Sequence, residues 1–323
     1  MKILIGSCGG LTGYYLAKYL RKLLPNLIKS NEFLIYGSDS SDVIPTKRIV
    51  NKLFVVPHSK YEQEFLNSLI TIINSEKVDI YIPTHSTEVR VISKHEEFLR
   101  NKTSVKFLIS PKTSFEILDN KLRAYKFLNN TGIKTPKFWE DPESIEFFPV
   151  IAKTPVSSAS KNIFITNSRE EAYVLKKKYK EIFFSEYLNG KEYTVDAFFN
   201  KKGELVTYNQ RIRIKTIGGA AVISQNNFDI DVKDELEIIS KNVKIIGPAN
   251  FQFFNIEGTP VFTDINLRFA SGGLPLSVES GANIVKLLIL ELLNIPYNKE
   301  DYTSDRKNRI MYRYFEEWYE TLN

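Results

Sequence analysis

The segment FTDINLR, residues 262–268, alternates side chains in a way that could do chemistry. In an extended chain successive side chains point to opposite sides, so Asp264, Asn266 and Arg268 share one face while Thr263, Ile265 and Leu267 share the other. An acid and an amide two residues apart supply oxygen ligands that suit Mg2+, which keeps several waters and takes its remaining ligands from phosphates. A neighbouring guanidinium addresses the same phosphates with two parallel hydrogen bonds. Upstream, NFQF puts Asn250 and Gln252 on one side in the same manner. If the two segments pair as a hairpin across NIEGT, four polar side chains and an arginine converge on one patch. An ordinary solvated sheet face would carry the same alternation, and both readings stay open at this point.

Two lysines have positions from which an ammonium group could reach phosphate oxygens. Lys121 lies in the helical stretch DNKLRAYKFLNN, and Lys153 ends the apolar run FPVIAK before a loop, TPVSSASKN, that contains no glycine. Either lysine alone would also serve as a surface residue. Glu186 and Glu192 in EYLNGKE read equally as parts of a polar hairpin. In GSCGGLTG, glycines 6, 9, 10 and 13 fall between a strand and a helix, where backbone N–H groups and the helix dipole can hold an anion. Their spacing departs from the dinucleotide fingerprint, although Asp39 could take a ribose hydroxyl in that reading. A tight strand-to-helix turn bordering a substrate pocket is the simpler expectation.

These residues need elements to position them. KILI, FLIYGSD, VDIYIPT and VKFLIS read as strands, with helices over residues 11–24, 61–75 and 87–99 between them. Such alternation implies a parallel sheet with right-handed crossovers, an open α/β domain over residues 1–113. From Ser114 the expectation is one helix, FEILDNKLRAYKFLNNTG, ending at Gly132, after which Pro136 keeps the chain extended. EIFFSEYL, KEYTVDAFF, LVTYNQRIRIKT, GPANFQFF and TPVFTDINL then give an α+β region of mainly antiparallel sheets, with helices over 168–180 and 232–246. A last helix over 282–293 precedes a polar, aromatic tail, which can pack on the body or on a second copy of the chain. The expected division is 1–113, then 114–185 with a small lid, then 186–323 with the metal-binding face and the tail.

The chain has 323 residues, 43% of them hydrophobic and 25% charged, enough to bury more than one core. No apolar run approaches the roughly 20 residues of a membrane span, and the apolar start is too short for the core of a signal peptide. One cysteine, Cys8, excludes an internal disulfide, and the three histidines show no ligand spacing. These features lead us to expect a cytoplasmic protein without a membrane partner. The net charge of +6 is dispersed, with KKKYK at 176–180 read as a solvated helix face. No basic stripe with interleaved aromatics appears, so nucleic acid is not an expected partner.

In order along the chain, DNKLRAYKFLNNTGIKTP, FPVIAK, FFSEYLNGKEYTVD, RIRIKT, NFQFF and DINLRFASGGLPLSVESGANI resemble the ATP-grasp superfamily. The likeness is specifically to its carboxylate-amine ligases, which are similar to the ATP-binding part of the carbamoyl-phosphate synthase large chain, and it covers roughly residues 1–295. It implies a pre-ATP-grasp α/β domain followed by an ATP-grasp fold, with ATP and Mg2+, or Mn2+ in its place, as cofactors. By this resemblance Lys121 and Lys153 contact phosphates; Ser157, Ser158 and Ser160 stand where relatives have glycines, and their hydroxyls could cover the phosphates or the loop could close poorly. Glu186, Tyr187 and Leu188 meet the adenine, Glu192 holds the ribose, and Asn250 and Lys215 assist. Gln252, Asp264 and Asn266 would bind the metal. Arg268 would sit at the transferred phosphoryl group with Lys153, Arg211 and Arg213. Gly10, Leu11, Thr84, Glu88, Gly272 and Gly273 would border the small-molecule carboxylate and amine, an amino acid or small peptide, with Glu88 receiving an ammonium group.

The implied reaction is attack of a carboxylate on the γ-phosphate, giving an acylphosphate and ADP, followed by amide formation. Relatives place glycines in the loop after the strand lysine, glutamate at the position of Asp264 and proline at that of Leu267. Two other readings remain: an ATP-binding sensor or scaffold, which the glycine-free loop would suit, and a dinucleotide-dependent oxidoreductase resting on the N-terminal glycines and Asp39.

Overall fold

The computed structural model describes residues 1–28, 32–156, 162–314 and 316–321. The N-terminal part runs β1 (Lys2–Ile5), α1 (Leu11–Ile28), β2 (Leu34–Asp39), β3 (Lys52–Val55), α2 (Glu62–Glu76), β4 (Ile80–Ile82), α3 (Ser86–Lys94) and α4 (Glu96–Lys102). Strand β1 is apolar on both faces, with Ile3, Leu4 and Ile5 fully buried, as a central strand covered by helices must be. It pairs in parallel with β2 and β4, and β2 pairs with β3, in the order β3-β2-β1-β4.

The parallel sheet agrees with expectation, but its members do not all. VKFLIS forms only one bridge, Lys106 to Ile80. Beyond it the chain leaves the sheet edge, because Ser110 Oγ accepts from Ile246 N at 3.0 Å and donates to Ile246 O at 3.1 Å. The fourth strand is instead KLFV, whose half-exposed pattern carries little periodic signal. The helix expected over 87–99 breaks at His95 into α3 and α4.

The helix expected over 115–132 also divides, into α5 (Lys112–Leu118) and α6 (Lys121–Asn130). Asn120 caps the second piece, its side chain accepting from Arg123 N at 3.0 Å. Lys121 therefore opens a helix, and its own amide donates to Pro155 O at 2.8 Å, tying it to the chain just after Lys153.

Next come β5 (Phe138–Trp139), β6 (Val150–Lys153), β7 (Ile163–Thr166), α7 (Arg169–Lys178) and β8 (Phe183–Glu186). These strands form a small antiparallel sheet in the order β5-β8-β6-β7 with its own core, including Trp139, Val150, Ala172 and Phe184. The remainder is β9 (Lys191–Phe199), β10 (Leu205–Ile217), β11 (Ala220–Asn226), α8 (Lys233–Asn242), β12 (Gly247–Ile256), β13 (Thr259–Asn266), α9 (Leu274–Glu279), α10 (Ile284–Leu293) and β14 (Ile310–Tyr312).

The six-stranded sheet β13-β12-β9-β10-β11-β14 is antiparallel throughout. Tyr193, Val195, Phe251, Phe253, Phe262 and Ile265 bury one face of it in the main core. The register shift between Gln252 and Phe253 places an extra residue, Thr263, on β13. That bulge lets Phe262 and Ile265 both enter the core while Asp264 and Asn266 stay on the polar face. Helix α10 is buried almost all round and packs with β1 and α1, joining the α/β part to this sheet. The tail returns to its own chain, since β14 pairs with β11 and Lys47 Nζ lies 2.9 Å from Glu320.

A Cβ on Gly13 would lie 2.5 Å from Cys8 Cα, so this glycine sets how closely α1 approaches the turn after β1. Gly13→Ala is expected to lower stability by about 1–3 kcal/mol in urea unfolding, as overpacking does. An unchanged midpoint would mean that helix and turn can separate freely.

Candidate active site

The polar face of the six-stranded sheet is a grid of side chains. Arg211, Thr194, Gln252 and Asp264 form one cross-strand row over β10, β9, β12 and β13. Asn209, Asp196, Asn250 and Asn266 form the next. Above them opens a cleft of about 620 Å3, walled by the start of α1 at Gly10, Leu11 and Thr12, by Thr84, His85 and Ser86, by Lys153, Ser185 and Glu186 of the small sheet with the connection 187–190 that follows, and by residues 270–272. The hairpin expected from NFQF and FTDIN exists with Asn250 opposite Asn266 and Gln252 opposite Asp264.

A chain of polar contacts crosses the floor. Lys121 Nζ lies 3.1 Å from Asp264 Oδ1, and Asn266 Nδ2 donates to Asp264 Oδ2 at 3.0 Å. Arg268 donates to Asn266 Oδ1 at 3.1 Å, to Phe269 O at 2.8 Å and to Ser86 Oγ at 2.5 Å, linking the sheet to α3. Burial works to raise the Asp264 carboxyl, but the charge and hydrogen bond of Lys121, with the Asn266 amide and the Lys153 charge, together hold the group below the ordinary aspartate range. Opposite, Lys153 is buried, donates to Tyr125 OH at 2.6 Å and sits over the rings of Tyr125 and Phe183. Burial first, then the charge of Lys121, depress its pKa to about 7. The two lysines thus share one site with a single carboxylate near both, an arrangement suited to a polyanion.

Deeper in the floor, Arg211 and Asp196 form a fully buried ion pair at 3.1 Å. Ser277 Oγ and Asn250 Nδ2 donate to the remaining Asp196 lone pairs at 2.5 and 2.9 Å, as a buried charge requires. Gly273 lies behind this guanidinium, where a Cβ would come within 1.8 Å of Arg211 Nε. Arg213 pairs with Glu192 on the cleft wall. Glu186 accepts from Lys137 N at 3.2 Å, and Glu186, Tyr187 and Leu188 all border the cleft.

Most of the sequence-expected residues therefore meet in one place, and three do not. Lys215 is exposed and away from the cleft, because register shifts on both sides of it turn β10 out of the Arg211 and Arg213 alternation. Glu88 is fully buried: Tyr81 OH donates to it at 2.5 Å and Thr84 N at 3.1 Å, so it anchors the start of α3 and cannot receive a substrate ammonium. Gly273 backs Arg211 and does not border the cleft, whereas Gly272 does. Ser157, Ser158 and Ser160 lie outside the described residues, and with them the glycine-free loop that suited a sensor. Asp39 accepts from Gly9 N at 2.8 Å, so the carboxylate on which the dinucleotide reading relied secures the turn.

Sequence reasoning missed Tyr125, Thr194, Asp196 and His85. Tyr125 stands four residues after Lys121 on one helix face, and Glu192, Thr194 and Asp196 alternate in KEYTVD, so three carried a readable signal. His85 carried none. Its Nδ1 accepts from Thr87 N at 3.3 Å, and burial, then the charge of Arg268, lower its pKa and favour the neutral ring.

Residues 178–317 match the family described as ATP-grasp in the biosynthetic pathway with Ter operon. Over 171 residues the chain is 26% identical to the D-alanine–D-alanine ligase of Fusobacterium nucleatum, covering 46% of this chain and 58% of that protein. Over 297 residues it is 25% identical to the carbamoyl phosphate synthase large chain of Clostridium beijerinckii, covering 85% of this chain and 27% of that one. The chain thus spans little more than half the length of the first relative and about a quarter of the second. Among solved structures, N5-carboxyaminoimidazole synthetase from Staphylococcus aureus, complexed with ADP, superposes with a TM-score of 0.73 at 16% identity, covering 96% of this chain and 81% of that one. L-amino acid ligase from Bacillus licheniformis superposes with a TM-score of 0.69 at 15% identity, covering 93% and 76%. Two chains this divergent in sequence share the architecture described above.

The depressed Lys153 fixes a pH signature. In the folded protein it loses its proton near pH 7, in the unfolded chain near its ordinary 10.5, so between these values the unfolded chain binds more protons and stability rises with pH. Lys153→Met should remove that rise, so that the gain in unfolding free energy of the ligand-free protein from pH 7 to 9 is smaller in the variant. Equal gains in both proteins would show that Lys153 is not desolvated.

Proposed function

We propose that this chain, an ATP-grasp protein by fold and by sequence, is an ATP- and Mg2+-dependent ligase that joins a carboxylate to an amine. The observation that carries this reading is the floor chain Lys121, Asp264, Asn266 and Arg268, set opposite Lys153 in one cleft. Phosphoryl transfer asks a protein for positioning and charge neutralisation more than for a covalent residue, and these groups provide both.

In this reading Lys121 and Lys153 hold the nucleotide phosphates, residues 186–188 border the adenine and Glu192 takes the ribose. Arg268 neutralises charge where the carboxylate oxygen attacks the γ-phosphorus and ADP departs, with Arg211 and Arg213 beside it. The amine nitrogen then attacks the acyl carbon and phosphate leaves. Gly10, Leu11, Thr84 and Gly272 border the acyl and amine substrates, for which amino acids or small peptides are the preferred class. Two relatives bear names of amino-acid ligases, which supports that choice. The single cysteine, Cys8, leaves no internal disulfide to form, which suits a reducing compartment such as the cytoplasm.

The donor set suits a metal that arrives with phosphates. Gln252, Asp264 and Asn266 offer oxygens but one negative charge, and among the described residues no cluster of three or more acidic, histidine or cysteine side chains could hold a metal ion. Mg2+ bound there would screen the phosphate charge during transfer. Accordingly Mn2+ titrated alone should give no bound signal in electron paramagnetic resonance, and Mn2+ with ADP should give one. Binding of the bare ion would contradict this placement.

The reading is tested by ADP release with pairs of amino acids and by mass spectrometry of the products. A pair should release ADP and yield an amide, and Lys153→Ala or Asp264→Asn should slow turnover by at least about 100-fold with the circular dichroism spectrum retained. Bound Mg-ATP with no amide from any pair would sink the ligase claim.

A further inference from the structure

Among the described residues, five buried side-chain atoms have no hydrogen-bond partner: Ser38 Oγ, Thr166 Oγ1, Ser185 Oγ, Thr194 Oγ1 and Arg213 Nε. Three of them, on Ser185, Thr194 and Arg213, belong to residues that line the cleft. A buried polar group left unpaired costs stability, and native chains keep few of them, so their concentration at one cavity points to a partner that binds there.

Thr194 is the most informative of the three. It is 2% exposed and stands at the centre of the floor row, between Arg211 on β10 and Gln252 on β12, with Asp264 one strand further. Its charged neighbours in the row are engaged elsewhere: Arg211 donates to Asp196 and Ser224, and Asp264 accepts from Asn266 and pairs with Lys121. A hydroxyl at this point presents a donor without adding positive charge to a floor that already holds Lys121, Arg211 and Arg268. Its row ends at the Lys121–Asp264 pair, whereas Ser185 faces Ile151 in the small sheet on the other side of the cleft.

We propose that the Thr194 hydroxyl binds the polyphosphate of the nucleotide, donating to an oxygen beyond the α-phosphate. This inference rests on the nucleotide-binding reading above. It makes Thr194 a binding residue whose ligand-free state is left unsatisfied, so its removal should separate affinity from stability.

The experiment measures thermal unfolding and calorimetric binding of Mg-ADP and of AMP for the wild type, Thr194→Val and Thr194→Ser. The valine variant replaces an unpaired hydroxyl with a methyl group of similar shape, so its ligand-free midpoint should equal or exceed that of the wild type. Its affinity for Mg-ADP should fall by about tenfold or more, the worth of a hydrogen bond to a charged group, while its affinity for AMP changes by less than about twofold. Thr194→Ser should keep near wild-type affinity for both. A valine variant that binds Mg-ADP as the wild type does would show that water satisfies the hydroxyl and would overturn the proposal. Equal losses for AMP and ADP would assign the contact to the nucleoside or α-phosphate and equally overturn it. A wild type that binds neither nucleotide overturns the ligase reading itself, whereas binding by the wild type with no selective loss in the variant overturns only the role of Thr194.

Discussion

One carboxylate, Asp264, pairs with Lys121 and acts through its charge on a second buried lysine, Lys153, in the same cleft. Lys121 reaches it from the first turn of α6 at 3.1 Å, and the Asp264 charge opposes the desolvation of Lys153 at the end of β6, which the Lys121 charge reinforces. The arrangement joins three elements far apart in sequence: a capped helix, a strand of the small sheet and a strand of the large one. The cleft is bordered by more cations than acids, with Lys121, Lys153, Arg211, Arg213 and Arg268 against Glu186, Glu192 and Asp264. In the function proposed above a polyphosphate would offset that excess, and the sheet face beneath would supply oxygens for its cation.

The face can be this polar only because the opposite face of the same strands is so apolar. Tyr193, Val195, Phe251, Phe253 and Phe262 anchor the sheet in the core, and the bulge at Thr263 lets β13 serve both sides. Behind the floor, polar order continues. Asn209 donates to Asn226 and Ser277 and accepts from Ser304, and Asn226 donates to Ser280 and to Lys307 O, so the returning C-terminal segment is bonded into the same network as the Arg211–Asp196 pair. Such a network fixes where the guanidinium points, because any shift would leave a buried polar group unpaired. The segment 304–312 is thus bonded to the sheet.

How much of this the sequence disclosed follows from what is local. Strand alternation revealed Asp264, Asn266, Arg268, Asn250 and Gln252, since a period of two is written in consecutive residues. The parallel sheet and the main antiparallel strands were legible for the same reason. The errors lie where tertiary contacts override local pattern. Ser110 draws VKFLIS off the sheet edge, Asn120 cuts a continuous helical pattern, and two register shifts turn Lys215 outward. Glu88 looked like an exposed acid because nothing local announces that Tyr81 and Thr84 N will enclose it. Tyr125 and Thr194 were within reach, on the same helix face and the same strand face as residues already chosen.

Transfer of oxygen from substrate to phosphate tests the ligase mechanism most directly. With a carboxylate that stimulates ADP release in the presence of its amine, labelled with 18O in both carboxyl oxygens, one labelled oxygen should appear in the inorganic phosphate and one in the amide. Unlabelled phosphate, or ADP release without any dependence on the carboxylate, would contradict attack of that carboxylate on the γ-phosphate at this cleft.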